Sequence, residues 1–351
     1  MTTFDDCFSI EMDQETFSAH EPAERSTMVR AMGRSMLRKD DPEHKPERMT
    51  LSRAIRPVAI KSTWHEVFER NADLHLERLR QLGPGADLFR EYAVPFAADN
   101  LTAVLGLKGV SADTMMDWSH TLIAGIGNVV DDSDIWAQTA RVNAEIEASI
   151  VESAAVLREK PDDSILSSFL HAPHEIPDEV VRANVKLAIS GGVNEPSHVI
   201  SSAVWELLTH PEQLAAVAQS EREWSDVFEE TARHQSPVGM YPRFVTRDTE
   251  VGGVPIPKGS SIGVVVASAN RDERIFQRPE EFDLFRERVT NLSFGNGTHI
   301  CAGNWLARDM VGAVALPRLF AEFPTLRLAD PDAVEFRGWV FRGTTALPVE
   351  W

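Results

Sequence analysis

The sequence predicts a mainly α-helical chain with small β-sheets, an α+β arrangement read as a single domain over residues 1–351. Three observations carry that prediction. Apolar residues recur at helical spacing over residues 64–82, 100–110, 135–159 and 178–209. Proline and glycine stop these runs at Gly83-Pro84-Gly85, at Lys160-Pro161-Asp162-Asp163 and at His210-Pro211. From Pro237 the texture changes: Val251-Gly252-Gly253-Val254-Pro255-Ile256-Pro257-Lys258-Gly259 reads as short strands joined by turns. Residues 262–267 read as a buried strand, and residues 334–351 alternate toward strand. There are no repeats, low-complexity tracts or flexible linkers.

The composition is that of a water-soluble globular protein, with 43% hydrophobic and 25% charged residues. No apolar run is long enough for a transmembrane helix, and the acidic start Met1-Thr2-Thr3-Phe4-Asp5-Asp6 lacks the basic and apolar regions of a signal peptide. Two cysteines, Cys7 and Cys301, make no disulfide framework, so a reducing cytoplasm is expected. A formal charge of −19 argues against nucleic acid and against an anionic membrane surface.

The densest chemistry lies in Phe294-Gly295-Asn296-Gly297-Thr298-His299-Ile300-Cys301-Ala302-Gly303, ahead of a run at 304–323 with helical character. Gly295, Gly297 and Gly303 permit positive φ and let the backbone approach a flat body closely. Cys301 sits just before a helix N-terminus, where free N–H groups and the dipole favour thiolate. A thiolate beside a wall without side chains is what an axial haem ligand requires. A lone cysteine in a glycine turn is otherwise a small buried hydrophobe. A zinc site from His299 and Cys301 lacks further ligands at suitable spacing.

The ten residues resemble the cysteine-ligand loop of the cytochrome P450 family, Phe-Gly-x-Gly-x-His-x-Cys-x-Gly, with every fixed position present. The resemblance implies the family fold, a triangular helical prism around a buried haem b (iron protoporphyrin IX). It implies Cys301 as the iron ligand, with Phe294, Gly295 and Gly303 shaping the loop. Glu230-Thr231-Ala232-Arg233 puts two opposite charges on one helix face. It is similar to the Glu-x-x-Arg pair of the family's K helix, which Arg286 would complete as a buried structural cluster. The stretch from Ala269-Asn270-Arg271-Asp272 to Asp283 is similar to the family's meander, with a role in the fold. His299, Arg243, Arg48 and His44 match family positions that hold the haem propionates, the last two at His-x-x-x-Arg spacing.

The segment Gly191-Gly192-Val193-Asn194-Glu195 falls where the family's distal I helix has Ala-Gly-x-acid-Thr. Small residues there leave room above the iron. The usual acid and alcohol are replaced by Asn194 and Glu195, and Pro196 is expected to kink or open the helix. Glu195, if partly buried, would carry the proton-delivery role, with Asn194 beside it. The substitute motif and the C-terminus, residues 334–343 and 349–351, resemble a minority bacterial branch that includes aromatic O-demethylases. Pro317 is expected to bend the helix after Cys301.

Ile189, Gly192 and Val193, with Val238, Met240, Val340 and Phe341, are the pocket candidates, and their apolar character suits a small hydrophobic or aromatic substrate. The expected activity is a monooxygenase inserting one atom of O2 by hydroxylation or O-demethylation. No reductase is expected within the chain. Electrons would come from a ferredoxin with its reductase, or from a single flavin and iron–sulfur reductase. Only about forty residues precede His44, so the family's first helix and strands look shortened or missing. A partner-free peroxygenase or isomerase, and a non-catalytic accessory protein, are the competing readings.

Overall fold

The computed structural model describes residues 1–22 and 24–351. It divides into two compact units, Met1–Ser18 with Phe68–Ala93 and Glu195–Trp351, and Ala19–Val67 with Val94–Asn194.

Among its described residues the second unit has helices joined by turns and no strands. Its helices include His44–Ile55, Val94–Leu105, Ala112–Ile126, Ser133–Glu159 and Asp178–Gly192. The Ala112–Ile126 helix packs against three of these, Val94–Leu105, Ser133–Glu159 and Asp178–Gly192. Serine and aspartate caps start several helices. Ser111 accepts from the Thr114 N–H, and Asp132 accepts from the Asp134 and Ile135 amides, each filling orphan donors of a first turn. Met115, Trp118, Leu122, Val142 and Ile146 form a buried stripe between them.

The first unit holds all nine described strands. β1 (Phe17–Ser18), β2 (Tyr241–Val245) and β5 (Ser261–Val264) form an antiparallel sheet in the order β1-β2-β5. β3 (Thr249–Val251) and β4 (Val254–Ile256) make a hairpin, turned by Gly252 and Gly253 at φ +57° and +79°. β6 (Arg327–Leu328) pairs with β9 (Val349–Glu350), and β7 (Phe336–Arg337) with β8 (Gly343–Thr344). Cys7, Ile10, Phe17, Val245, Val264, Val266 and Leu292 close one core under the three-stranded sheet. Among the described residues, no helix is long and apolar enough to cross a membrane.

Several expectations need correction. The strand expected over 262–267 ends at Val264, and residues Val266–Ala269 turn into a short helix. The run expected at 178–209 is two helices, Asp178–Gly192 and Asn194–Thr209, interrupted at Val193. Pro196 has no N–H for the Gly192 carbonyl and its ring would crowd that carbonyl, so the break falls one turn before the proline. At Pro317 the structure shows a widened turn just ahead of the proline. The chain runs helically through Asn304–Ala307, widens to a π turn over Arg308–Ala315, and resumes as Leu316–Glu322. Pro317 has no N–H to offer the preceding turn, which fits the widening to a π turn just before it. The start of the chain is helical, Phe4–Met12, with Thr3 as its N-cap.

Candidate active site

The helix Trp224–Gln235 is positioned by a reciprocal capping box between Glu223 and Asp226, and it presents Glu230 and Arg233 inward. Arg233 grips Glu230 through two bonds of 2.8 and 2.7 Å. The Glu230 carboxylate also accepts from the Asp283 N–H at 3.0 Å and from Arg286 at 3.2 Å. The remaining Arg233 donors go to the carbonyls of Asn270, Pro279 and Glu281. Those of Arg286 go to Gln277, Arg278 and Glu281. A buried charge needs this degree of satisfaction, because each unmet bond would cost part of its hydration.

The network continues into the cysteine loop through Asn270. Its side chain donates to Ser236 and Ser293 and accepts from the Leu292 N–H at 2.7 Å, while Ser293 donates to the Ala232 carbonyl. Gly295 follows at φ +64°, its N–H on the Leu292 carbonyl, and Gly297 at φ +61°. The Cys301 N–H then closes back on the Phe294 carbonyl at 2.7 Å. Phe294 stacks against Phe228, and the Arg308 guanidinium lies 4.5 Å from the Phe294 ring centroid, held by Glu229 at 2.6 Å. The loop therefore stands on one face against packed rings and hydrogen bonds.

Its other face is open. Cys301 is exposed, and a Cβ placed on Gly303 would meet only the Cys301 sulfur, at 3.9 Å. This glycine-floored space beside a thiol, at the start of the 304–322 helical run, fits a flat macrocycle. Among the described residues no three His, Cys, Asp or Glu side chains gather to hold a bare metal ion. A single cysteine ligand suits iron already held by a porphyrin.

Arg243 lies in β2, buried, with its guanidinium 4.8 Å above the Tyr241 ring. His299 ends the short turn Gly297–His299. These two propionate candidates belong to the first unit with Cys301. His44 and Arg48 belong to the second, on successive turns of the helix His44–Ile55; His44 is buried with Nδ1 3.3 Å from Asp41.

Of the pocket candidates, Val238 and Phe341 pair across a bridge, and the Gly239 N–H bonds the Val340 carbonyl at 2.7 Å. All three side chains, and that of Met240 resting on Gly263, are half-buried. Ile189 and Val193 are fully buried within the second unit. Gly192 also serves helix packing. A Cβ there would come within 2.6 Å of Leu101, so its small size is spent on close packing between two helices.

Asn194 is buried at the interruption. Next to it, burial pushes the Glu195 carboxyl up to about 8, and its Oε2 has no hydrogen-bond partner among the described residues. One acid escaped the sequence reading. Glu11, 4% exposed, packs against the cysteine loop. Its signal was present: Glu11 lies seven residues after Phe4 and four after Cys7, on the apolar stripe of its helix.

The fold and this loop can be compared with known proteins. The family profile described as Cytochrome P450 matches residues 225–332, the stretch from the Glu230 helix through the cysteine loop. Nocardicin C N-oxygenase of Nocardia uniformis subsp. tsuyamanensis is 30% identical over 95% of this chain and 83% of its own length. Vitamin D(3) 25-hydroxylase of Pseudonocardia autotrophica is 32% identical over 90% of this chain and 77% of its own. The structure of cytochrome P450 TbtJ1 superposes with a TM-score of 0.89 at 27% identity, covering 100% of this chain and 90% of that one. That of P450BioI does so with a TM-score of 0.90 at 24% identity, over 100% and 91%. Identity that extends along nearly the whole chain, around a loop whose open face fits a haem, leaves one assignment: this chain belongs to the cytochrome P450 family and is a haem b monooxygenase.

Proposed function

We propose that the chain, acting as one haem-binding domain, oxygenates a small apolar substrate by hydroxylation or O-demethylation, with methoxy-aromatics as the first candidates. When bound, the haem supplies dioxygen activation and insertion of one oxygen atom. Cys301 would be its thiolate ligand, and Arg243, His299, His44 and Arg48 would hold its propionates. Electrons would come from a separate partner, either a ferredoxin with its reductase or a single flavin and iron–sulfur reductase. The half-buried Val238, Met240, Val340 and Phe341 support an apolar substrate. Relatives named for N-oxygenation of nocardicin C and for 25-hydroxylation of vitamin D(3) agree with oxygen insertion, and leave the substrate to be read from this chain.

The observation that carries the reading is Glu195. At neutral pH a carboxyl that titrates near 8 still holds its proton, the state required of an acid feeding dioxygen reduction. Its position after the helix interruption, with an unpartnered Oε2, leaves that proton deliverable. Glu195→Gln is expected to uncouple oxygen consumption from product and release more peroxide. In the wild type, coupling is expected to fall as pH rises through about 8. Unchanged coupling in the variant would end the proton-delivery role. A methoxyphenol panel that gives neither a spin-state shift nor formaldehyde would end the O-demethylation reading.

A further inference from the structure

Arg342 follows Val340 and Phe341, two of the pocket candidates, in the segment that leads into β8. Hydrogen bonds fix its backbone against the other pocket segment. The Arg342 N–H donates to the Pro237 carbonyl at 2.8 Å, and the Gly239 N–H donates to the Val340 carbonyl at 2.7 Å. On the far side, Gly343 has no room for a Cβ, which would strike the His198 ring, and Thr344 Oγ1 donates to Ser201 Oγ at 2.6 Å. His198 stands one turn after Glu195 on the helix Asn194–Thr209. Arg342 is therefore held between the helix that carries Glu195 and the pocket segment 237–240.

Its side chain is half-buried. The aliphatic stem crosses the buried Gly239 so closely that a Cβ there would lie 2.9 Å from Arg342 Cδ. The guanidinium has no ion pair, hydrogen bond or ring contact among the described residues. Burial weighs against its charge, and the charged group that acts on it is Arg271, another cation. Arg271 is occupied, its donors on the Glu280 carboxylate and the His234 carbonyl. A guanidinium drawn from water without a counter-charge carries a free-energy cost that a bound anion would offset. Its planar fork matches a carboxylate through two parallel hydrogen bonds. Val340, Phe341 and Val238, which pairs with Phe341 across the bridge, are apolar and half-buried beside it.

We propose that Arg342 is a specificity-determining residue that binds the carboxylate of an amphipathic substrate, an aromatic or aliphatic acid whose apolar body lies along Val238, Val340 and Phe341. The proposal rests on those residues being a pocket wall, and it narrows the apolar substrate to one with an anionic end. Held by its acid, such a substrate keeps the opposite, apolar end for oxygenation. Among methoxy-aromatics this selects a methoxybenzoate.

The test titrates the holoprotein at neutral pH with two acid–amide pairs, 4-methoxybenzoate with 4-methoxybenzamide and decanoate with decanamide, and reads the spin-state shift of the Soret band. Wild type is expected to bind at least one acid about tenfold or more tighter than its amide. Arg342→Gln is expected to weaken that acid by roughly 10- to 100-fold and its amide by less than about twofold, with Arg342→Lys between the two proteins. If Arg342→Gln does not hold haem, Arg342→Lys makes the same comparison. Equal losses for acid and amide mark a merely structural role and overturn the proposal. Faster haem transfer from Arg342→Gln to apomyoglobin overturns it too, by giving the guanidinium to a propionate. If the amides bind and the acids bind no better, the apolar pocket stands and the Arg342 proposal fails. If neither member of either pair shifts the band in wild type, both fail.

Discussion

Two carboxyl groups in the first unit, the buried Glu230 and the half-buried Glu195, follow opposite rules. Glu230 is fixed by a bidentate guanidinium, a second arginine and a backbone N–H, so its charge is matched from every side. Glu195 has an enclosed oxygen with nothing to bond, and burial raises its proton affinity. A fully satisfied charge holds structure in place, and here it anchors the meander on which the cysteine loop stands. An unsatisfied carboxyl keeps its proton and so remains able to give it up. If Glu195 delivers protons as proposed, rigidity and proton chemistry are separated by how completely each acid is paired.

The largest effect expected from breaking this contrast is at the satisfied site. Arg233→Ala leaves the Glu230 charge with only Arg286 and the Asp283 N–H and should destabilise by about 3–5 kcal/mol, read by urea denaturation. Loss of less than 1 kcal/mol would mean that water replaces the guanidinium. Next comes the unsatisfied site, where the sign is the reverse. The folded Glu195 holds its proton to about 8 and the unfolded one releases it in the ordinary carboxylate range, so folding binds a proton. Wild-type stability should therefore fall relative to Glu195→Gln as pH rises from 5 to 8, with the two proteins converging below pH 4.5. A gap independent of pH would place the Glu195 proton elsewhere.

Gly297→Ala sharpens the rigid side. The added Cβ meets the Glu11 carbonyl at a positive φ, and a loss on the order of 1–3 kcal/mol with weaker haem retention is expected. Smallest is Thr3→Ala, which removes the side-chain cap on the Asp6 N–H and should cost about 1 kcal/mol, seen as a lower melting temperature.

What the sequence made legible follows the same division. The cysteine loop, Glu230, Arg233 and Arg286 carry fixed spacings because a rigid network tolerates few alternatives, and the structure joins them through Asn270. The Gly252-Gly253 turn was readable because two positive φ values demand glycine. Packing choices were not readable. Nothing local tells that Leu101, far away in sequence, fills the space beside Gly192. The interruption at Val193 also sits one turn from the proline that produces it. Glu11 was passed over because an acid near an acidic N-terminus reads as solvated, although its helical position pointed inward.

The most direct test of the account is the absorption spectrum of the reduced protein exposed to carbon monoxide, in the wild type and in Cys301→Ser. Thiolate ligation by Cys301 predicts a strongly red-shifted Soret band in the wild type and its loss in the variant. A wild-type band at the position typical of neutral axial ligands, or a red-shifted band that survives in Cys301→Ser, would contradict it.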